Sequence, residues 1–280
     1  MVSQLDSFSS ERILIGCRGL ISITLTRAFR NITTGECTES ARAAIRAGFH
    51  DAGSWSGKLA AQGQDYGGAD GSLYLYGEST RSENNGLQEI TATLGALAQK
   101  HHVGVADMLQ FAAAHATVTC PLGPRMRTFI GRNDGTKPAP DGLLPSALAS
   151  AEVNIALFAD KRIGPLDLVA LLGAHSVSRQ SFFNTTVAGQ SQDSTPGVWD
   201  TNFYEDTIRS EFNSGAGITT FPSDKAISLY GPLQEEWNGY VRRQSDWNEH
   251  FSRAYLRLSI TGVNNIQDMV ECELFISCKL

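Results

Sequence analysis

The chain has 280 residues, 41% of them hydrophobic and 19% charged, enough apolar material for a sizeable core and incompatible with disorder as the main state. Its 23 basic and 29 acidic side chains give a net charge of −6 with no basic stripe, so nucleic acid is not an expected partner. The richest apolar run, Ile13 to Leu25, is broken by Arg18 and too short to span a bilayer, so no membrane partner is expected and the chain reads as a soluble globular protein.

Helical periodicity predicts a helix over Glu39 to His50 with Thr38 as its N-cap. Further helices are predicted over Leu87 to Lys100, Val105 to Ala116, Pro165 to Ser178 and Asp246 to Ser259. Pro165 suits the first turn of its helix. Alternating β patterns are scarce, so the expected fold is mostly α. Three Gly- and Asp-rich loops separate helices: Asp65 to Ser72, Gly131 to Pro145 and Gln190 to Asp200. Long ordered loops usually hold something, and acidic ones often hold Ca²⁺. Neither a 20–50-residue repeat nor a long low-complexity linker interrupts the chain.

Five cysteines stand at 17, 37, 120, 272 and 278 with no CxxC or CxxCH. That argues against a zinc ribbon, a thioredoxin-type pair and covalently attached haem, and it allows two disulfides with one thiol left over. The triplets Asn31-Ile32-Thr33 and Asn184-Thr185-Thr186 are N-glycosylation patterns consistent with secretion. The first ten residues lack the features of a signal peptide, so an extracellular protein would have had its signal removed.

In RAGFHDA (46–52), Arg46 and His50 are four residues apart on one helix and project from one face. An arginine beside an imidazole keeps it neutral, as a general base requires, and stabilises negative charge on a reacting oxygen. Taken alone, such a pair is more often a core histidine and a surface arginine. Asp51 and the loop Gly67-Gly68-Ala69-Asp70-Gly71-Ser72 follow, supplying hard oxygen ligands suited to Ca²⁺. Glu78 and Asn84 are candidates to fix the imidazole tautomer. His175, near the end of an apolar helix, could ligate a metal or cap the helix dipole. Eighteen residues on, Asp193-Ser-Thr195-Pro-Gly-Val198-Trp-Asp200 again offers hard oxygen donors. A histidine-bearing helix followed by an acidic loop thus occurs twice, a repetition that packing does not explain.

These residues together resemble the plant, fungal and bacterial haem peroxidase superfamily, and most closely its secreted fungal class II branch. The carriers are RAGFHDA (46–52), GGADGSL (67–73), Glu78 with Asn84, GRNDGTKPAPDGLLP (131–145), LVALLGAHS (168–176) and DSTPGVWDT (193–201). The resemblance implies a single domain over residues 1–280, with a distal half of about 1–135 and a proximal half of about 136–280 around one haem b. It implies His50 as distal acid–base, Arg46 as charge stabiliser and Phe49 as an aromatic wall. Asn84 would hold His50, with Glu78 behind it; His175 would be the axial iron ligand, backed by Asp224. Two Ca²⁺ are implied, a distal one on Asp51, Gly68, Asp70 and Ser72 and a proximal one on Ser176, Asp193, Thr195, Val198 and Asp200. The implied disulfides are Cys37–Cys120 and Cys17–Cys272, leaving Cys278 unpaired. The implied reaction reduces H₂O₂ while small phenolic or aromatic donors are oxidised in one-electron steps at the haem edge, by a monomer.

The sequence also departs from the resemblance. Where manganese peroxidases carry three acidic residues, this chain has Glu39, Ala43 and Ser181. Ala170 stands where ligninolytic members carry a surface tryptophan, and Gln192 stands where an aromatic usually precedes Asp193. Trp55, Trp199, Trp237 and Trp247 remain, each read first as core. Two alternatives are an intracellular cytochrome c or ascorbate peroxidase, and a Ca²⁺-stabilised haem-binding protein without turnover. The disulfide spacing speaks against the first, and the intact Arg46, His50 and His175 against the second.

Overall fold

A computed structural model describes residues 19–210 and 217–272. Its first helix, α1 (Leu20–Phe29), buries Ile21, Leu25 and Phe29 along one stripe. Helix α2 (Glu39–Ala52) starts at the expected cap: Thr38 Oγ1 accepts from the Ala41 amide, a bond whose loss costs about 1 kcal/mol. Small residues dominate the buried side of α2, and a Cβ on Gly48 would lie 2.5 Å from the Ala113 Cβ. Helices α3 (Gly57–Ala60) and α4 (Ser72–Leu75) are single turns before and after the first acidic loop. Helices α5 (Gln88–His101) and α6 (Val105–Thr119) follow, α6 buried on nearly every side between α1, α2 and α5.

A short antiparallel pair joins β1 (Thr128–Ile130) to β2 (Val270–Cys272), with Thr128 opposite Cys272. The later helices are α7 (Ala151–Asp160), α8 (Pro165–Leu172), α9 (Asn202–Ile208), α10 (Pro222–Ser228), α11 (Gly231–Tyr240) and α12 (Gln244–Ser259). Helix α12 packs on α8 and reaches α2, so one continuous hydrophobic core runs through both groups of helices. The mostly α expectation holds. Trp199, Trp237 and Trp247 are fully buried and Trp55 nearly so; Trp199 stacks on Trp247 at 4.8 Å.

The predicted helix over 165–178 is not one α-helix. It ends at Leu172 and tightens into a 3₁₀ segment over Gly173–Val177. The cause lies at Gly173, where a Cβ would meet the Trp247 indole nitrogen at 2.4 Å and the Tyr204 hydroxyl at 2.5 Å. Close approach there allows both polar groups to bond the α8 carbonyls, Trp247 to Ala170 O and Tyr204 to Val169 O. Cys37 and Cys120 form a disulfide between the ends of α2 and α6. Cys272 is also disulfide-bonded, while Cys17 and Cys278 lie outside the described residues. Among the described residues no helix is long and apolar enough to cross a membrane.

Candidate active site

Arg46 and His50 lie one turn apart on α2, and the Arg46 Nε–H donates to His50 Nε2 at 3.3 Å. Arg46 is anchored by a bond from Nη2 to the Asn85 carbonyl, a partner the sequence did not reveal. On the far side of the ring, His50 Nδ1 lies 2.7 Å from Asn84 Oδ1. Asn84 Nδ2 donates to the Glu78 carbonyl at 2.9 Å, so Oδ1 is the acceptor and the proton sits on His50 Nδ1. Nε2 therefore carries the lone pair, which accepts from the Arg46 Nε–H on the cavity side. Burial first, and then the Arg46 charge, lower the His50 pKa to about 3, while the Asn84 bond opposes them. Burial is thus the larger cause and the Arg46 charge the second. Phe49 meets the His50 ring edge-on at 5.5 Å and stacks on Phe158 at 6.0 Å.

Glu78 stands behind Asn84, but through its main chain rather than its carboxylate. The side chain turns away, accepting from the Ala139 amide at 2.5 Å and pairing with Arg81 at 3.6 Å. Arg81 in turn donates to the Ala139 and Pro140 carbonyls. This stitches the 78–84 segment to the 131–145 loop, and no sequence motif signalled it.

His175 sits in the 3₁₀ turn after α8, with Nδ1 2.9 Å from Asp224 Oδ2 on α10. A carboxylate only accepts, so the proton is on Nδ1 and the Nε2 lone pair is left for a metal. The edges of Phe203 and Phe221 hold the ring at 5.5 and 5.7 Å. Gln192 adds a second contact to Asp224 Oδ2, with Nε2 at 3.4 Å.

The two acidic loops flank these histidines. Asp51, next to His50, accepts from the Gly71 and Leu73 amides, and Asp70 from Gly67 and Ser72. Gly68 turns the loop at φ +96°, with the Thr261 carbonyl 2.4 Å from where a Cβ would stand, so only glycine fits. Thr195 binds both Asp193 and Asp200, at 2.9 and 2.8 Å. Burial, with Asp70 nearby, raises the Asp51 pKa well above the carboxylate range, and burial with Asp200 and Asp206 nearby raises Asp193 to about 8. Among the described residues no three His, Cys, Asp or Glu side chains form a metal cluster. Each loop instead brings two carboxylates together with hydroxyls and carbonyls, the donor set of Ca²⁺. Three buried oxygens of the expected ligands, Ser72 Oγ, Ser176 Oγ and Asp193 Oδ2, have no hydrogen-bond partner, as suits positions meant for a cation.

One cavity of about 560 Å³ joins the two histidines, lined by Arg46, Phe49 and His50 and by His175, Phe221 and Asp224. The residues fit the implied haem: the walls are largely apolar, and His175 offers a nitrogen already oriented by a carboxylate. Glu39, Ala43 and Ser181 line the same cavity, as do Leu144 and Pro145 of the 131–145 loop. The Glu39 carboxylate is engaged by Arg42 at 2.8 Å.

A family model described as peroxidase matches residues 24–243. Ligninase C of Trametes versicolor is 35% identical over 257 residues, 85% of this chain and 69% of that protein. Low-redox potential peroxidase of Taiwanofungus camphoratus is 33% identical over 236 residues, 79% of this chain and 72% of its own. Manganese peroxidase 3 of Phlebia radiata is 30% identical over 255 residues, 85% of this chain and 70% of its own. For Ligninase LG2 of Phanerodontia chrysosporium the matched share of that protein is 66%, so this chain spans about two thirds of the length of these relatives.

Proposed function

This chain belongs to the peroxidase family, on its fungal class II branch, and we propose that it reduces H₂O₂ on a haem b while oxidising aromatic donors. The observation that carries this reading is the pairing of His50 and His175 around one cavity, each with its Nδ1 proton committed elsewhere. Residues up to about 135 and from about 136 onward would form the distal and proximal halves about it.

Haem held by His175 supplies a redox-active iron and the oxidising power delivered to the donor. His50, neutral and with Nε2 turned toward Arg46 and the cavity, would take a proton from H₂O₂ at that nitrogen and return it to the oxygen that leaves as water. Arg46 stays charged despite burial and stabilises negative charge on that oxygen. Asn84 keeps the proton on Nδ1, so that the base faces the peroxide. Phe49, backed by Phe158, keeps the wall apolar and excludes water. Asp224 increases the electron donation of His175 by drawing on its Nδ1 proton.

The donors we propose are small phenols and aromatic amines. Phe182 and Phe183, 56% and 40% exposed, line the cavity together with Leu144 and Pro145 and give such rings an apolar approach. Mn²⁺ oxidation is not favoured, because Glu39 is paired with Arg42 and neither Ala43 nor Ser181 adds a carboxylate. Ala170 is buried and cannot admit electrons from large donors at the surface. Two Ca²⁺ would fill the acidic loops. Secretion, supported by the Cys37–Cys120 disulfide and by exposed Asn31 and Asn184, and a monomeric state complete the proposal.

Stopped-flow mixing of haem-loaded protein with H₂O₂ tests it. The Soret band should change at once in the wild type, and His50→Leu should slow that change by about 10²–10⁴-fold. A variant as fast as the wild type would remove His50 from the reaction, and a wild type without a prompt Soret change would favour haem binding without turnover.

A further inference from the structure

Gln192 stands where the resemblance leads one to expect an aromatic ring, and the structure shows what it does there. The side chain is buried, 1% exposed, and its amide points at the carboxylate behind His175. Its orientation is fixed from the other end. Ser178 Oγ donates to Gln192 Oε1 at 2.6 Å, and the Gln192 main-chain N–H donates to the Ser178 carbonyl at 3.1 Å. With Oε1 occupied as an acceptor, Nε2 faces Asp224 Oδ2, the same oxygen that accepts from His175 Nδ1.

Asp224 is fully buried and its Oδ1 has no partner, so among the described residues two N–H groups make up its whole hydrogen-bond complement. A donor to a carboxylate stabilises the negative charge and weakens its pull on any other proton. Gln192 and the His175 N–H therefore compete for one oxygen. The stronger the Gln192 bond, the less the His175 proton is drawn toward Asp224 and the less electron-rich the ring becomes.

We propose that Gln192 is a positioning residue that tempers Asp224 and thereby raises the ferric/ferrous potential of haem bound at His175. This rests on His175 being the axial ligand, and the test separates the two claims. The experiment uses the haem-loaded protein, with the midpoint potential from spectroelectrochemical titration and the iron–histidine stretching frequency of the ferrous form from resonance Raman. Gln192→Leu removes the donor at similar volume. It should shift the ferric/ferrous equilibrium about tenfold toward ferric, about 59 mV for a one-electron couple, and raise the stretching frequency. Ser178→Ala, which frees the amide to turn, should move both in the same direction by less. In an Asp224→Asn background Gln192→Leu should have no further effect, because the charge it tempers is gone.

A Gln192→Leu potential that is unchanged or higher overturns the proposal, as does an equal shift in the Asp224→Asn background. If Gln192→Leu does not load haem, Ser178→Ala decides: a shift toward ferric supports the proposal and none overturns it. A wild-type protein with no iron–histidine band would instead remove His175 as ligand, and the functional reading with it.

Discussion

Replacing Asn84 by leucine separates the two things that His50 needs, a neutral ring and a correctly placed proton. The ring stays neutral in the variant, because burial and Arg46 lower its pKa and the Asn84 bond opposes them. Losing that bond lowers the pKa further, so any loss of rate cannot come from an imidazole protonated at neutral pH. What disappears is the 2.7 Å bond that holds the proton on Nδ1 and leaves the Nε2 lone pair facing the cavity. A net hydrogen bond is worth about 1–1.5 kcal/mol, which corresponds to about a five- to fifteenfold change in the fraction of molecules with the productive tautomer. Asn84→Leu should therefore reduce the second-order rate constant for peroxide, read from the Soret band by stopped flow, by about tenfold. Because leucine also removes one of the two donors to the Glu78 carbonyl, leaving the Arg81 amide, a stability loss of about 0.5–1.5 kcal/mol should accompany the change. A rate constant equal to the wild type would refute the tautomer argument. A loss as large as that of His50→Leu would show that Asn84 does more than orient the ring.

Calcium removal should loosen both ends of the cavity, since Asp51 adjoins His50 and Ser176 adjoins His175: chelation should lower the melting temperature, and added Ca²⁺ should restore it. At a free concentration of 100 times Kd the gain is about 2.7 kcal/mol per site, and unchanged melting of protein shown by metal analysis to be free of Ca²⁺ would exclude the sites. Mn²⁺ should give only background turnover, because Glu39 is engaged by Arg42; saturable Mn³⁺ formation at micromolar Mn²⁺ would contradict this. Asp107→Ala should cost about 3–5 kcal/mol in urea unfolding, because it removes the counter-ion of the buried Arg132, leaving only the Ser259 and Phe129 carbonyls as acceptors, and the ion pair at 3.0 Å fastens α6 to the 131–145 loop. A loss below about 1 kcal/mol would show that water or another group compensates Arg132.

The parts of the site that were legible in the sequence are those whose chemistry depends on spacing along the chain. Arg46 and His50 share a face because one turn separates them, and Thr38 caps because a short polar side chain precedes the helix. Short elements such as Ser72–Leu75, Asn202–Ile208 and Pro222–Ser228 have too few turns for periodicity to show, so they were missed as helices. Contacts made by the main chain were also hidden. Glu78 reads as a carboxylate, yet it acts on Asn84 through its carbonyl, while its side chain ties down residue 139. Gln192 was visible only as a departure, since its partner Asp224 is 32 residues away.

The two histidines show why acceptor type matters more than residue type here. Both rings are oriented by a hydrogen bond from Nδ1, at 2.7 Å to Asn84 and at 2.9 Å to Asp224. Asn84 is a neutral acceptor and, in the proposed reaction, would leave His50 a weak base able to take up a proton and release it within one cycle. Asp224 offers a carboxylate oxygen, a stronger acceptor than an amide, which in the proposed reaction would make His175 the more electron-donating ring. Exchanging the two acceptors would harm both halves, since an anion behind His50 would favour its charged form and slow the return of the proton. A neutral amide behind His175 would remove the electron donation. Gln192 falls between these limits: it leaves the anion in place and lowers its pull, so the electron donation of His175 is adjusted without being abolished.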